Sequence, residues 1–294
     1  MANKIIILGA GGQVGSALTA LLRQQNSIEC VAQTRDQLDI SNIDLLRQFI
    51  QEQQAQIIVN CAAYTNVARA ETDRENAEKI NHFAVMELAK ICEDLALPLI
   101  HISTDYVFSG KQSSPYCETD LTQPLNFYGV SKARGEEALR QHCKKHIILR
   151  TSAVFSAEGS NFVKTMLTLA EQKPRLTVIY DQFTRPSSAS NIASVLFNLI
   201  KTILAGEVIW GTYHYAGETI LSWYNFAKLI FELSGAQAIV QPVCSANYPS
   251  PVQRPLNAVL DCEKINRLLQ LKLASLTSCL NNVLSELNAK TEKI

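Results

Sequence analysis

Short β-branched runs alternate with longer amphipathic stretches over the first 150 residues, and this alternation constrains the fold most. The predicted strands are Lys4–Leu8, Ile28–Gln33, Ile57–Asn60, Leu99–Ser103 and His146–Arg150. The predicted helices are Val14–Arg23, Asp44–Gln53, Glu75–Leu95 and Tyr128–His142. Strands separated by helices long enough to cross over form a parallel sheet with helices on both faces. The sequence therefore predicts a doubly wound, Rossmann-type α/β fold.

The pattern becomes less regular after residue 150. The further predicted elements are helices at Asn161–Gln172 and Ile192–Ala205 and strands at Leu176–Tyr180, Gly211–Ala216 and Ile239–Val243. We predict that residues 1–150 form the main domain, with about 176–205 returning to it. Residues 151–175 and 206–294 are then expected to form a smaller lobe that closes over this domain.

Composition excludes several classes of partner. Lys plus Arg and Asp plus Glu balance at 27 each, so no global field attracts nucleic acid or an anionic membrane. The eight cysteines are scattered without a C-x-x-C pair, which predicts reduced thiols. The apolar run Ile5–Leu8 is too short for a signal peptide or a membrane span, which favours a cytoplasmic location.

A glycine cluster follows the first predicted strand directly. Gly9, Gly12 and Gly15 are spaced by three residues, with Gly11, Gln13 and Val14 between them and an amphipathic helix after them. Such glycines permit a tight turn and close approach of the backbone to a pyrophosphate, while the helix N-terminus supplies N–H donors. The main domain is therefore predicted to bind a dinucleotide, since a plain turn would not need this placement.

The end of the second predicted strand bears on the choice between NADPH and NADH. An acidic residue normally binds the ribose hydroxyls of NAD at this place, but the chain has Thr34-Arg35. Arg35 can pair with a 2′-phosphate, which favours NADPH, although an arginine at a strand end is also ordinary on a surface. The nearby Asp36, Asp39 and Ile40 keep NADH open as the alternative.

Tyr128 and Lys132 are four residues apart on a predicted helix, which places them on one face about one turn apart. A lysine beside a tyrosine is expected to lower the phenol's pKa toward neutral and to supply a general acid. Thr104 ends the fourth predicted strand, where a hydroxyl faces the ligand crevice and can bind a substrate carbonyl. The alternative for Thr104 is a hydroxyl that satisfies the local backbone.

Small side chains close the third predicted strand at Cys61, Ala62 and Ala63, and Thr65 follows. They would let a dinucleotide lie against the strand ends, where Thr65 can reach a ribose or phosphate oxygen. Close packing in the core is an equally compatible reason for the two alanines.

Taken in order, these stretches resemble the extended short-chain dehydrogenase/reductase family. The residues that carry the resemblance are Gly9–Gly15, Asn60–Thr65, Ser103–Phe108, Tyr128–Lys132, Arg150–Ser152, Asn161-Phe162, Asp181-Gln182 and Arg254–Asn257. The resemblance implies reduction of the C4 ketone of a dTDP-linked deoxysugar, with 4-dehydro-L-rhamnose as the leading sugar. It implies that Tyr128 donates the proton, that Lys132 holds Tyr128 and the nicotinamide ribose, and that Thr104 is the third catalytic residue.

The substrate is expected to meet Asp105, Tyr106, Ala153, Asn161 and Arg254. Related dehydratases carry an acidic residue where this chain has Tyr106, so the resemblance favours carbonyl reduction over loss of water. Ala153 departs from the family, which usually has an aromatic wall there, and this leaves a dihydrostreptose-type sugar open. Arg254 is alternatively a solvated loop charge.

Two further expectations concern assembly and a competing function. Some family members bind magnesium between subunits through glutamates, and two of those positions correspond to Ala17 and Ser190, so we expect no metal here. A homodimer remains an option. The competing function is a non-catalytic NADP-binding regulatory subunit, like the β subunit of methionine adenosyltransferase, against which the retained Thr104, Tyr128 and Lys132 argue.

Overall fold

The computed structural model describes residues 2–291, and we number its elements in chain order. The strands are β1 (Asn3–Leu8), β2 (Ile28–Gln33), β3 (Ile57–Asn60), β4 (Leu99–Thr104), β5 (His146–Thr151), β6 (Val154–Phe155), β7 (Arg175–Ile179), β8 (Phe183–Thr184), β9 (Ser187–Ser188), β10 (Gly211–His214), β11 (Leu221–Ser222) and β12 (Ile239–Val243). The helices are α1 (Gln13–Arg23), α2 (Ile43–Gln53), α3 (Arg74–Glu78), α4 (Ala84–Asp94), α5 (Phe127–His142), α6 (Phe162–Gln172), α7 (Ala189–Leu204), α8 (Trp223–Ser234), α9 (Glu263–Leu269) and α10 (Leu276–Thr291).

Six strands form a central sheet in the order β10-β5-β4-β3-β1-β2, and every neighbouring pair is parallel. β3 is buried along its whole length, as expected for a strand covered on both faces. The predicted doubly wound α/β fold is confirmed.

The core divides into two layers, one on each face of this sheet. Ile5 and Ile7 of β1 face a layer with α1 and α7, whereas Ile6 and Leu8 face a layer with α2 and α4. Successive side chains of a strand point to opposite faces, so one run of four apolar residues anchors both layers.

Three two-stranded pairings lie outside the central sheet: β7 with β12 and β6 with β9, both parallel, and β8 with β11, which is antiparallel. Phe155, Phe226 and Leu280 belong to a separate apolar cluster that α6, α8 and α10 enclose. This cluster is separate from the two layers of the central sheet, and the predicted smaller lobe would be built around it.

The structure differs from the sequence prediction at two lobe boundaries. The predicted strand at Gly211–Ala216, assigned to the smaller lobe, instead extends the central sheet as β10 beside β5. The predicted strand at Leu176–Tyr180, expected to return to the main domain, pairs with β12 outside the central sheet. Pairing partners distant in sequence are not visible in a local hydrophobic pattern, and this explains both errors.

The long helix predicted at Glu75–Leu95 is interrupted. A π-helical segment, Lys79–Phe83, separates α3 from α4. Within it, Asn81 bonds the backbone of Tyr64 and the Ser131 hydroxyl, and a Cβ on Gly135 of α5 would lie 2.1 Å from the Asn81 carbonyl oxygen. The wider turn thus points a polar side chain inward and lets α5 approach closely.

Other elements were not predicted, namely the three helices α8, α9 and α10 and the two-residue strands β6, β8, β9 and β11. Strands this short are too brief for the alternation of side chains to be recognised in the sequence.

Two further properties concern the thiols and the helices of the described residues. The eight cysteines all lie in the described part of the chain and are free thiols. Among residues 2–291, no helix has the length and apolar character needed to cross a membrane.

A buried ionic network ties α5 to the outer half of the sheet. Arg150 of β5 and Glu136 of α5 are 1% and 0% exposed and form two hydrogen bonds of 2.8 and 2.6 Å. Arg150 also donates through Nη1 to Nε2 of His214 at 3.2 Å, and His214 donates through Nδ1 to the Tyr116 carbonyl at 3.0 Å. Burial and the Arg150 charge lower the pKa of His214 to about 3.

This network predicts a loss of stability in acid. Between about pH 6.5, where an unfolded histidine titrates, and about pH 3, the unfolded chain binds a proton that folded His214 does not. Stability from this group is complete above pH 6.5 and falls by up to about 1.4 kcal/mol for each pH unit below it. Urea unfolding at pH 7 and pH 5 should therefore show a smaller loss for His214→Gln than for the wild type. Equal losses would contradict this assignment.

Candidate active site

Two adjoining cavities lie at the carboxyl end of the central sheet. The outer cavity, about 420 Å³, is bounded by the glycine turn after β1 and by the segment after β2. The inner cavity, about 540 Å³, contains the ends of β4 and β5 and the start of α5. Both include Gly12, Cys61 and Ala63, so they form one continuous crevice where ligands of open α/β sheets bind.

The glycine turn has little room for side chains. Gly9 has a φ of +76°, and a Cβ there would lie 2.5 Å from the Ala62 nitrogen. A Cβ on Gly15 would lie 2.3 Å from the Gly9 carbonyl oxygen. Gly12 is the N-cap of α1 and makes no side-chain cap, so the first N–H groups of the helix face the crevice without one. The turn therefore has the form of a pyrophosphate cradle.

The structure brings nearly all the predicted cofactor residues to this crevice. The outer cavity is lined by Gly9, Gly11, Gly12, Arg35, Asp39, Ile40, Cys61, Ala62 and Ala63. The inner cavity is lined by Gln13, Val14, Thr65, Tyr128 and Lys132. Gly15 lines neither cavity and instead allows α1 to pack against the turn.

Arg35 stands at the mouth of the outer cavity. Its side chain is 76% exposed, and its Nε lies 3.9 Å from the Asp39 carboxylate. Asp39 in turn accepts hydrogen bonds from the backbone and hydroxyl of Ser41 at 2.9 and 2.8 Å. Asp39 is thus fixed by its own loop, whereas the Arg35 guanidinium is free to meet an anion.

Thr104, Tyr128 and Lys132 lie together in the inner cavity. Thr104 is the last residue of β4, and its hydroxyl accepts from the Tyr106 amide and donates to Asp105 at 3.1 and 3.0 Å. The Asn126 side chain caps α5 by accepting from the Gly129 amide, which fixes the turn that carries Tyr128. Lys132 follows Tyr128 by four residues and therefore lies one turn further along the same helix.

The expectation that Lys132 lowers the pKa of Tyr128 is wrong. Burial raises the pKa of Tyr128 well above the usual phenol range, and a hydrogen bond with Thr104 opposes this in part. The Lys132 ammonium nitrogen is engaged elsewhere, at 3.0 Å from His101 Nε2 and 2.7 Å from the Ile102 carbonyl oxygen. Tyr128 is consequently a protonated phenol, which is the form that can give a proton to a carbonyl oxygen.

Tyr106 lines the inner cavity beside these residues, whereas Arg254 lines neither of the two cavities and contacts Tyr106 from outside them. The Tyr106 ring meets Tyr128 edge-on with centroids 5.9 Å apart. Burial raises the pKa of Tyr106 to about 12, while the charge of Arg254 and its hydrogen bond to the phenol act in the opposite direction. Asp105 lines the inner cavity, but its carboxylate is bonded to Ser152 and Thr104. Arg254 therefore contacts the site through its hydrogen bond to the Tyr106 phenol.

An aromatic residue faces the cavity where Ala153 leaves space. Ala153 lines the inner cavity with a left-handed φ of +43°, and Trp223 at the start of α8 lines the same cavity. The Trp223 ring packs on Phe162 with centroids 4.7 Å apart. Sequence analysis missed Trp223, although Ser222 before it is a recognisable N-cap for the unpredicted helix.

One more residue was missed in the inner cavity. Thr151 is 5% exposed, and its hydroxyl oxygen has no hydrogen-bond partner among residues 2–291. Buried polar groups without partners are uncommon in proteins, so this oxygen favours a polar ligand at this position. A dinucleotide with its ribose and carboxamide fits that requirement.

Asn161 does not line either cavity. Its side chain caps α6 by accepting from the Lys164 amide and donates to Gln13 Oε1 and the Ser156 carbonyl at 2.9 and 2.7 Å. The predicted contact of Asn161 with the substrate would have to replace these bonds. In the structure, Asn161 links the smaller lobe to the glycine turn through Gln13.

Ala17 and Ser190 lie in a separate groove between α1, α7 and α10. Among residues 2–291, no three His, Cys, Asp or Glu side chains are close enough together to hold a metal ion. A homodimer stays a prediction.

Comparison with known proteins gives matches over almost the entire chain. A family model described as RmlD substrate binding domain matches residues 3–289. The dTDP-4-dehydrorhamnose reductase of Aggregatibacter actinomycetemcomitans is 39% identical over 287 residues, covering 95% of this chain and 98% of that protein. The reductase of the same name from Escherichia coli K12 is 37% identical over 295 residues, covering 98% and 99%.

Solved structures agree with these matches. The structure of dTDP-4-dehydrorhamnose reductase from Bacillus anthracis in complex with NADP superposes with a TM-score of 0.91 at 32% identity, covering 97% of this chain and 100% of that one. Structures of a UDP-glucuronic acid 4-epimerase from Bacillus cereus, at 22% identity and a TM-score of 0.83, share the fold.

Proposed function

We propose that this chain, which belongs to the RmlD family of dTDP-4-dehydrorhamnose reductases, is an NADPH-dependent oxidoreductase that reduces the C4 ketone of a dTDP-linked deoxysugar. The leading substrate is dTDP-4-dehydro-L-rhamnose, which would become dTDP-L-rhamnose. The observation that carries the proposal is the meeting of Thr104, Tyr128 and Lys132 in one cavity beside the glycine turn.

The reaction needs a proton donor and a holder for the carbonyl oxygen. NADPH supplies the hydride when it is bound. Tyr128, a protonated phenol at neutral pH, donates its phenolic proton to the ketone oxygen. The Thr104 hydroxyl hydrogen-bonds the same oxygen. Lys132, which lines the same cavity, would hold the nicotinamide ribose.

The cofactor preference follows from the outer cavity. The exposed guanidinium of Arg35 suits a 2′-phosphate better than a ribose diol, because an arginine pairs with phosphate through charge-assisted hydrogen bonds. Asp39 is held by Ser41 and is therefore less free to bind the diol hydroxyls. We assign NADPH as the main cofactor, with NADH as the weaker alternative.

We also propose that the two lobes bind different ligands. The central sheet with α1 to α5, α7 and β10 would bind the dinucleotide. The remaining segments after β5 would bind the sugar nucleotide, with Tyr106, Arg254 and Trp223 around the sugar. Trp223 supplies an aromatic face that Ala153 does not, and this supports a hexose ring as the group bound there.

A panel of 4-keto nucleotide sugars tests the function. Purified protein should oxidise NADPH with dTDP-4-dehydro-L-rhamnose at a rate well above that with no sugar. A faster rate with a dihydrostreptose-type ketone would move the substrate assignment to that sugar. If NADPH binds but no keto sugar is turned over, and a catalytic partner protein co-purifies, the regulatory-subunit reading replaces the enzyme.

A further inference from the structure

A threonine hydroxyl without a partner lies in the inner cavity. Thr151 is the last residue of β5, is 5% exposed and lines this cavity. Its hydroxyl oxygen makes no hydrogen bond to any of residues 2–291. The Asp105 carboxylate, which lines the same cavity, bonds Ser152 and Thr104 instead. A hydroxyl isolated in this way lowers the stability of the protein unless a ligand completes its hydrogen bonding.

The strand register places Thr151 beside Thr104. β4 and β5 are parallel neighbours, and these two threonines are paired in the register. Paired residues of neighbouring strands point to the same face of the sheet, and the strands are about 4.8 Å apart. That face carries the layer with α1 and α7, because Leu149, two residues before Thr151, packs there. The Thr151 hydroxyl is therefore one strand away from the hydroxyl that would bind the ketone oxygen.

The order of the strands assigns Thr151 to one end of the dinucleotide. Arg35 follows β2, the glycine turn follows β1 and Cys61 follows β3, in the sheet order β10-β5-β4-β3-β1-β2. A dinucleotide with its 2′-phosphate at Arg35 and its pyrophosphate at the turn would reach β4 and β5 with its nicotinamide. The sugar would approach from the other side of the cavity, which Trp223 of α8 lines. The ligand group nearest to Thr151 would therefore belong to the nicotinamide.

The chemistry of the nicotinamide identifies the group. The carboxamide carries the hydrogen-bond donor and acceptor of the ring, and a threonine hydroxyl can pair with either. The adjoining ribose would be held by Lys132, which bonds His101 on the face of β4 opposite to that of Ile100. We propose that Thr151 is a cofactor-binding residue whose hydroxyl bonds the carboxamide of NADPH and fixes the rotation of the nicotinamide ring beside Thr104.

The free protein provides the first test, because the hydroxyl contributes no hydrogen bond before the cofactor binds. Thr151→Val removes the hydroxyl and leaves a β-branched side chain that suits a strand. Its urea unfolding midpoint at pH 7 should be equal to that of the wild type or higher. Thr184→Val is the matched control. Thr184 is 2% exposed and its hydroxyl bonds Ser152 at 2.6 Å, so this variant should have a lower midpoint.

Cofactor binding provides the second test, with a pair of ligands that differ at the nicotinamide. NADPH has the carboxamide, whereas 2′-phospho-ADP-ribose lacks the whole nicotinamide ring. In the full-length protein, Thr151→Val should raise the Kd of NADPH roughly three- to tenfold, the usual contribution of one hydrogen bond, and leave the Kd of 2′-phospho-ADP-ribose unchanged. Thr151→Ser keeps a hydroxyl and should bind NADPH much as the wild type does. Isothermal titration calorimetry measures both constants.

Several results would overturn the proposal. Thr151→Val destabilised as much as Thr184→Val would make the hydroxyl a structural one. Equal losses of affinity for both ligands would place its contact outside the nicotinamide, and an unchanged Kd of NADPH with a raised KM for the keto sugar would place it on the substrate.

The inference rests on the NADPH binding proposed above, but the two fail differently. A wild type that binds neither ligand would contradict the proposed function and the role of Thr151 with it. A wild type that binds NADPH no more tightly than Thr151→Val would contradict the role of Thr151 alone.

Discussion

Replacing Tyr128 with phenylalanine is expected to lower kcat for ketone reduction by about 10² to 10⁴-fold, the usual contribution of a positioned general acid. Phenylalanine keeps the ring that meets Tyr106 but removes the only hydroxyl proton that this position can give. Because the substitution deletes one oxygen from a buried side chain, NADPH binding should stay within a few-fold of the wild type. Steady-state rates and fluorescence titration with NADPH measure the two quantities separately.

Tyr213→Phe is the matched control for this experiment. Tyr213 is a buried tyrosine of β10 that lines neither cavity. Its replacement should leave kcat close to that of the wild type. Comparable rates for wild type and Tyr128→Phe would show that another group donates the proton.

The second large effect is expected at Glu136. The change Glu136→Gln keeps the shape of the side chain but leaves Arg150 as a buried charge without its carboxylate. Breaking a buried pair from one side typically costs about 3–5 kcal/mol. Denaturant unfolding at pH 7 should show this loss as a lower midpoint.

Two further variants test whether the loss of stability arises from the burial of the Glu136–Arg150 pair. Glu263→Gln removes a carboxylate from an exposed pair with Arg267 and should change stability little. The double variant Glu136→Leu with Arg150→Met replaces both charges by apolar groups and should recover much of the loss. A Glu136→Gln protein as stable as the Glu263→Gln protein would contradict the role given to the pair.

The sequence predicts the first half of the fold closely because each strand there is a short apolar run, separated from the next strand by a helix with its own period. β1, β2 and β3 lie within one residue of their predicted bounds. The π-helical interruption before α4 could not be predicted, since the bonds of Asn81 to Tyr64 and Ser131 bring together residues distant in sequence. The pairing of β10 with β5 could not be predicted for the same reason, because the two strands are distant in sequence.

Some residues of the candidate site could likewise be predicted from the sequence, and others could not. Residues at strand ends and in the glycine turn were found, because their spacing from a strand or helix places them at one edge of the sheet. Trp223 was missed because it comes from a helix that packs over the crevice from the other lobe. The pKa of Tyr128 was misjudged because sequence spacing gives the nearness of Lys132 but not that its nitrogen is bonded to His101 and Ile102.

The position of β10 has a mechanical consequence. The chain leaves the central sheet after β5, forms part of the smaller lobe through β9, and then comes back through α7 and β10 before leaving again. At least three covalent connections therefore join the central sheet to the segments outside it. Any closing of one body on the other must change the backbone at all of these connections together, because hinge motions are absorbed by the residues that link two bodies.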